Sequence, residues 1–181
     1  MHIAIRDNTE MKQFQNSMKP QDVFVLLKII ALNNDNWQQI PLAQSLKMSQ
    51  SEVSQSVARS RYADLMDDSG KIVMRQALMD FIQYGLAVVF PAKPGALVRG
   101  IPTAHSALPM NKEIRSNEDY VWPFAKGHVR GHGITPLYDT VPQAAIEDEQ
   151  LHALLALTDT LRVGKAREKN IAVRELKNRI C

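Results

Sequence analysis

The chain has 181 residues, of which 45% are hydrophobic and 23% charged, and its formal charge is +3. That balance excludes the disordered class, and the length allows one compact domain or a smaller one with an appendage. The single cysteine, Cys181, excludes an internal disulfide and a multi-cysteine zinc site, and the mild charge does not by itself demand a nucleic-acid partner.

The most apolar stretch, 23–32, is interrupted by Lys28 and falls well short of the roughly 20 apolar residues that a membrane span needs. The start shows no basic segment leading into an apolar run and a small-residue cleavage site, so the expectation is a cytoplasmic protein with no membrane partner. Residues 1–18 read as a polar N-terminal extension. Pro20 and Asp22 then suit the first turn of a helix, where a missing N–H costs nothing and a carboxylate meets the positive end of the dipole. Val23, Phe24, Leu26, Leu27, Ile30 and Ala31 recur at three- and four-residue spacing, which predicts a buried helix. The run Asn33–Asn36 stops it, because short polar side chains compete for backbone bonds. Alternation over Trp37–Ile40 predicts a very short strand, followed by a helix over Pro41–Leu46 and another from Gln50 to about Leu65. After a turn at Asp67–Gly70, residues 73–84 predict a further helix, ended by Gly85. The β-branched and aromatic run 86–90 and the strand-like 96–101, joined by Pro91-Ala92-Lys93-Pro94-Gly95, predict a β-hairpin.

Residues 102–142 are rich in Pro, Gly and His, show no sustained period, and read as an extended linker pinned to the surface by Trp122 and its apolar neighbours. Residues 143–181 return to helical character, with acidic Glu147, Asp148 and Glu149 ahead of a basic end. Leu151, Leu154, Leu155 and Leu161 form a stripe that a lone helix cannot hide from water. The expectation is that it serves dimerisation with a second copy, or capture of a protein partner.

The informative stretch is 42–57. Ala43 is small enough for a close helix contact, and Leu42, Leu46, Met48, Val53 and Val57 face a shared core. Ser49 with Glu52 three residues later spells a capping box, which fixes where the second helix starts. The outer face of that helix then presents Gln50, Ser51, Ser54 and Gln55, side chains that reach base edges, with Arg59 and Arg61 placed for phosphates. In spacing and residue type this stretch resembles the helix-turn-helix of bacterial transcriptional regulators. It departs at Lys47, where the family's turn often holds Gly, so Lys47 must enter the left-handed region at about 1 kcal/mol.

With the preceding helix, the Trp37–Ile40 strand and the hairpin, residues 19–101 resemble a winged helix. The resemblance implies a mainly α fold with a small β-hairpin, plus a C-terminal helical extension over 143–181. It also implies a recognition helix, Ser49 included, in the major groove of double-stranded DNA, and a wing whose Lys93 and Arg99 touch the backbone. A single such helix reads few base pairs, so the expected protein is a homodimeric repressor. A second reading stays open, an antitoxin-like or other protein-binding module whose C-terminal part holds a protein partner. His105, His128 and His132 lack the company and spacing of metal ligands, and Gly127–His132 lacks the strand-to-helix setting of a phosphate loop. No nucleophile elbow or flanking carboxylate pair points to catalysis, so neither cofactor, metal nor enzymatic activity is expected.

Overall fold

The computed structural model describes residues 16–181, so the expectation for residues 1–15 lies outside the described residues. Among those described, helices α1 (Pro20–Leu32), α2 (Gln39–Leu46) and α3 (Gln50–Tyr62) come first. They are followed by α4 (Arg75–Asp80), a π-helical turn (Phe81–Gly85) and α5 (Leu86–Val89), which run on as one rod. Strand β1 (Leu97–Pro102), two 3-10 turns (Ala104–Ser106 and Met110–Lys112), β2 (Tyr120–Pro123) and β3 (Val129–Gly133) make the middle of the chain. Helices α6 (Val141–Ile146), α7 (Glu149–Val163) and α8 (Ala166–Ile180) close it. The architecture is mainly helical with a small three-stranded sheet. No helix among the described residues is long and apolar enough to cross a membrane.

Every residue of α1 from Asp22 to Ile30 is buried, as expected of a helix apolar nearly all round. It lies against α2, α3 and α7. Helix α7 is the second central rod, and Leu151, Leu154, Leu155 and Leu161 are all buried in the same core as α1. The leucine stripe is therefore satisfied within the chain and offers no face to a second copy, which overturns its reading as a dimerisation surface. Lys28 of α1 bonds Asp148, the N-cap of α7, at 2.6 Å, and Asp148 in turn accepts from the Leu151 N–H.

Two predicted β elements are absent. Trp37–Ile40 forms no strand, because Gln39 already opens α2 and Trp37 is held in the core by a bond from its Nε1 to the Lys71 carbonyl. Residues 86–90 do not form a strand either: Leu86 is fully buried at helical spacing from Ile82 and Met79, and that packing overrides β propensity. The helix passes through Gly85 instead of ending there, with the Phe81 ring 3.0 Å from where a Cβ would sit. The hairpin over 86–101 therefore does not exist.

The strand expected over 96–101 is present as β1, but its partners β2 and β3 come from the segment expected to be a linker. Strand β1 pairs antiparallel with β2, with Ile101 opposite Trp122, and antiparallel with β3, with Arg99 opposite Arg130; β2 and β3 pair in parallel. Trp122 is fully buried, and its indole N–H donates to Asp159 of α7 at 2.6 Å. Asp159 also accepts from Thr103 and from Arg162, whose guanidinium reaches the carbonyls of Phe90 and Thr135. This buried knot fastens the sheet to α7, and residues 102–142 are core as much as connection.

Candidate nucleic-acid interface

Leu42, Ala43 and Leu46 of α2 and Val53 and Val57 of α3 are buried, with Met48 between the two helices. Their shared core makes the pair cross at a tight turn. Lys47 adopts φ 57° and ψ 37°, the left-handed conformation that caps a helix, and its N–H returns to the carbonyls of Ala43 and Gln44. The strain expected at this lysine is present, and its Nζ meets Glu147 at 2.7 Å. The capping box also forms: Ser49 Oγ accepts from the Glu52 N–H at 3.2 Å, and the Glu52 carboxylate accepts from the Ser49 N–H at 3.0 Å.

The same carboxylate accepts from the Tyr138 hydroxyl, and Thr140 donates to the Leu46 carbonyl at 2.7 Å. The Tyr138 bond, backed by the Ser49 donors, holds the Glu52 carboxyl below the usual range, and the same bond, with burial and the Glu52 charge behind it, pushes the Tyr138 hydroxyl up to about 12. The segment ahead of α6 thus clamps the turn from one side. On the other side α3 presents an open face of Gln50, Ser51, Ser54, Gln55, Ala58, Arg61 and Tyr62, all exposed. Gln55 Nε2 donates to Ser51 Oγ at 3.2 Å along this face. Lys19 and Asn16 flank it, lining with Gln55 and Ala58 a depression of about 410 Å³.

Arg59 is the main correction. It is 3% exposed, and it donates through Nε and a terminal nitrogen to both oxygens of the fully buried Asp22, at 2.8 and 2.6 Å. Ser56 adds a third bond to Asp22 at 2.6 Å. An arginine so buried and already paired with a carboxylate is structural, its charge answered by Asp22 before any phosphate could meet it. Tyr62, seven residues after Gln55 and so on the same side of the helix, belongs to the face and escaped the sequence reading; the spacing was the available signal.

Lys93 and Arg99 are exposed but belong to a loop and to β1, so the turn that was to present them together is absent. A much tighter hairpin follows α3 directly, with Met66 bridged to Val73. Asp67 shapes its turn by accepting from Ser69 Oγ at 2.6 Å and from the N–H groups of Ile72 and Lys71, and the Ser69 bond leads in bringing its carboxyl down to about 2. Lys71 returns to Trp37, its Nζ bonding the Trp37 carbonyl at 2.9 Å and lying 4.5 Å from the ring centre.

His105, His128 and His132 do not converge, and the described residues contain no cluster of three metal-ligating side chains. His132 and His105 each bond a backbone carbonyl, of Gly95 and Glu118. Compared with known proteins, the chain matches no family model, no curated protein and no solved structure.

Proposed function

We propose that α2 and α3 form a helix-turn-helix that reads double-stranded DNA in the major groove, and that the chain is a cytoplasmic transcriptional regulator acting as a repressor. The observation that carries this reading is the open face of α3, which bears amides, hydroxyls and one free-standing arginine, with the Tyr62 ring at its end and no large aliphatic side chain. Such a face matches base edges and phosphates and has little to offer an apolar partner surface. Gln50, Ser51, Ser54 and Gln55 read bases; Arg61 and Lys19 hold phosphates. In this reading the Met66–Val73 hairpin stands where a winged helix has its wing. Asp67 and Asp68 make it acidic, so it braces Trp37 and leaves the phosphate contacts to the helix.

Two-fold pairing on half-sites remains part of the proposal, because one helix reads few base pairs. With the leucine stripe buried, the copies pair elsewhere. A second reading, a protein-binding module, is favoured by one observation: Tyr84 and Val88, one helical turn apart, are 72% and 80% exposed.

Fluorescence anisotropy of the full chain against the duplex upstream of its own reading frame and against a scrambled duplex, both at about 150 mM salt, tests the DNA reading. Preference for the upstream duplex by a factor of about 10³ is expected. Equal affinity for both removes sequence reading and leaves the protein-binding module.

A further inference from the structure

Arg99 and Arg130 stand directly opposite each other on the antiparallel pair β1 and β3. Residues so paired project to the same side of the sheet with Cβ atoms about 5 Å apart, an arrangement that destabilises when both carry the same charge. Nothing within the described residues relieves it. Neither arginine takes part in an ion pair or a side-chain hydrogen bond there, whereas Arg59, Arg162 and Arg174 all have carboxylate partners. Both are exposed, and together with His128 and Leu97 they line a depression of about 490 Å³. Leu97 lies two residues from Arg99, and so on the same side of β1, and is 55% exposed, while the exposed His128 stands in the bend that leads into β3.

The hollow depends on Gly127. A Cβ there would fall 2.2 Å from the Gly100 carbonyl oxygen, so the 127–128 loop lies directly on β1 only because this residue has no side chain. We propose that this depression binds a phosphoryl group carried by a small molecule, gripped by the two guanidinium forks, with Leu97 against its carbon portion. Two planar forks lining one depression from opposed positions can donate together to the oxygens of a single oxyanion through paired, charge-assisted bonds. The volume lies in the range of small-molecule sites. A duplex backbone presents a row of phosphates and calls for spaced cations, which this opposed pair is not. The site lies in the sheet, away from α2 and α3, and stands independently of the DNA reading.

Amide shifts of the full, isotope-labelled chain, titrated separately with inorganic phosphate and with glycerol 3-phosphate at constant ionic strength, test this. Saturable shifts centred on Val98, Arg99, Gly127, His128 and Arg130 are expected, and tighter binding of the ester than of free phosphate identifies the organic monoester as the ligand class; equal binding assigns the site to free phosphate. The double variant Arg99→Gln, Arg130→Gln should bind at least about tenfold more weakly, and Arg99→Lys, Arg130→Lys, which keeps the charge but loses the forks, should also weaken. Arg115→Gln, an exposed arginine elsewhere, should change nothing. Absence of saturation in the wild type up to tens of millimolar, or equal weakening by Arg115→Gln, overturns the proposal. So does a random duplex whose affinity falls in the double variant as far as that of the ester, since the pair then belongs to a nucleic-acid surface.

Discussion

Arg59 and Asp22 face each other as a fork on a carboxylate inside the protein, with bonds of 2.8 and 2.6 Å and both side chains out of reach of water. The pair ties the last turn of α3 to the first turn of α1, where the Asp22 carboxylate also accepts from the Lys19 N–H at 2.8 Å. The orientation of the open α3 face therefore rests on a buried interaction outside that face.

Removing the guanidinium leaves a buried carboxylate with only Ser56 and one backbone N–H. Arg59→Ala should cost about 3–5 kcal/mol in urea unfolding, the range for breaking one side of a buried ion pair. A cost under about 1 kcal/mol would mean that Arg59 is free in solution and available to phosphate after all.

On the open face the effects should split by role. Gln55→Ala should lose about 1–3 kcal/mol on the upstream duplex and little on scrambled DNA, because a base contact is lost only where the base is right. Arg61→Ala should weaken both duplexes alike and lower the salt slope by about one ion. Equal losses on both duplexes for Gln55→Ala would take Gln55 out of base reading.

What was legible and what was not follows from sequence distance. The capping box of Ser49 with Glu52 and the left-handed Lys47 are local, fixed by residues within four positions, and both appear as the sequence implies. Arg59 was read as a surface cation because its partner is 37 residues away on another helix. Residues 86–90 carry strand-forming side chains, but the burial of Leu86 decides their conformation, and no local pattern encodes it. Strand β1 matches the strand-like 96–101, but its pairing with β2 and β3 is not legible, for a similar reason. The strands have four to six residues, too short for a clear period, and the residue that anchors β2 is Asp159, 37 positions downstream of Trp122. The leucine stripe needs cover, as its spacing implies, and part of the core it joins comes from α1, more than a hundred residues earlier.

The Glu52–Tyr138 bond gives stability a pH dependence with a definite sign. The Glu52 carboxyl is held low in the folded chain, so its contribution is present in full above the ordinary glutamate range and is lost as pH falls from there through the lowered folded value. Tyr138 is shifted the other way, up to about 12, so its contribution is present in full below the free tyrosine value of about 10 and is lost as pH rises through the folded value. Tyr138→Phe should cost about 1 kcal/mol at neutral pH and flatten both limbs of the stability profile. Unfolding curves from pH 3 to 11 check this; limbs as steep as in the wild type would place the coupling elsewhere.

Asp159 is the test of how the sheet is fastened. Its Oδ2 accepts from Trp122 Nε1 at 2.6 Å and from Thr103 Oγ1 at 3.0 Å, and its Oδ1 accepts from Arg162 at 2.7 Å. Burial pushes this carboxyl up, while the guanidinium and the two neutral donors oppose that and favour the charged form. Every neighbour is a donor, so an amide cannot replace the carboxylate. In Asp159→Asn the new NH2 must point either at Arg162 or at Trp122 and Thr103, and in each case two donors meet. The guanidinium of Arg162 also loses its counter-charge while keeping only the Phe90 and Thr135 carbonyls. Asp159→Asn should therefore cost about 3–5 kcal/mol, against about 1 kcal/mol for Thr103→Val, which removes a single donor. Trp122 should report the loss directly, its fluorescence shifting to the red at lower urea than in the wild type. If Asp159→Asn unfolds at the wild-type urea midpoint, the knot is not what holds the sheet to α7, and His152, whose ring lies against Trp122 and whose Nε2 bonds the Pro102 carbonyl, carries it instead.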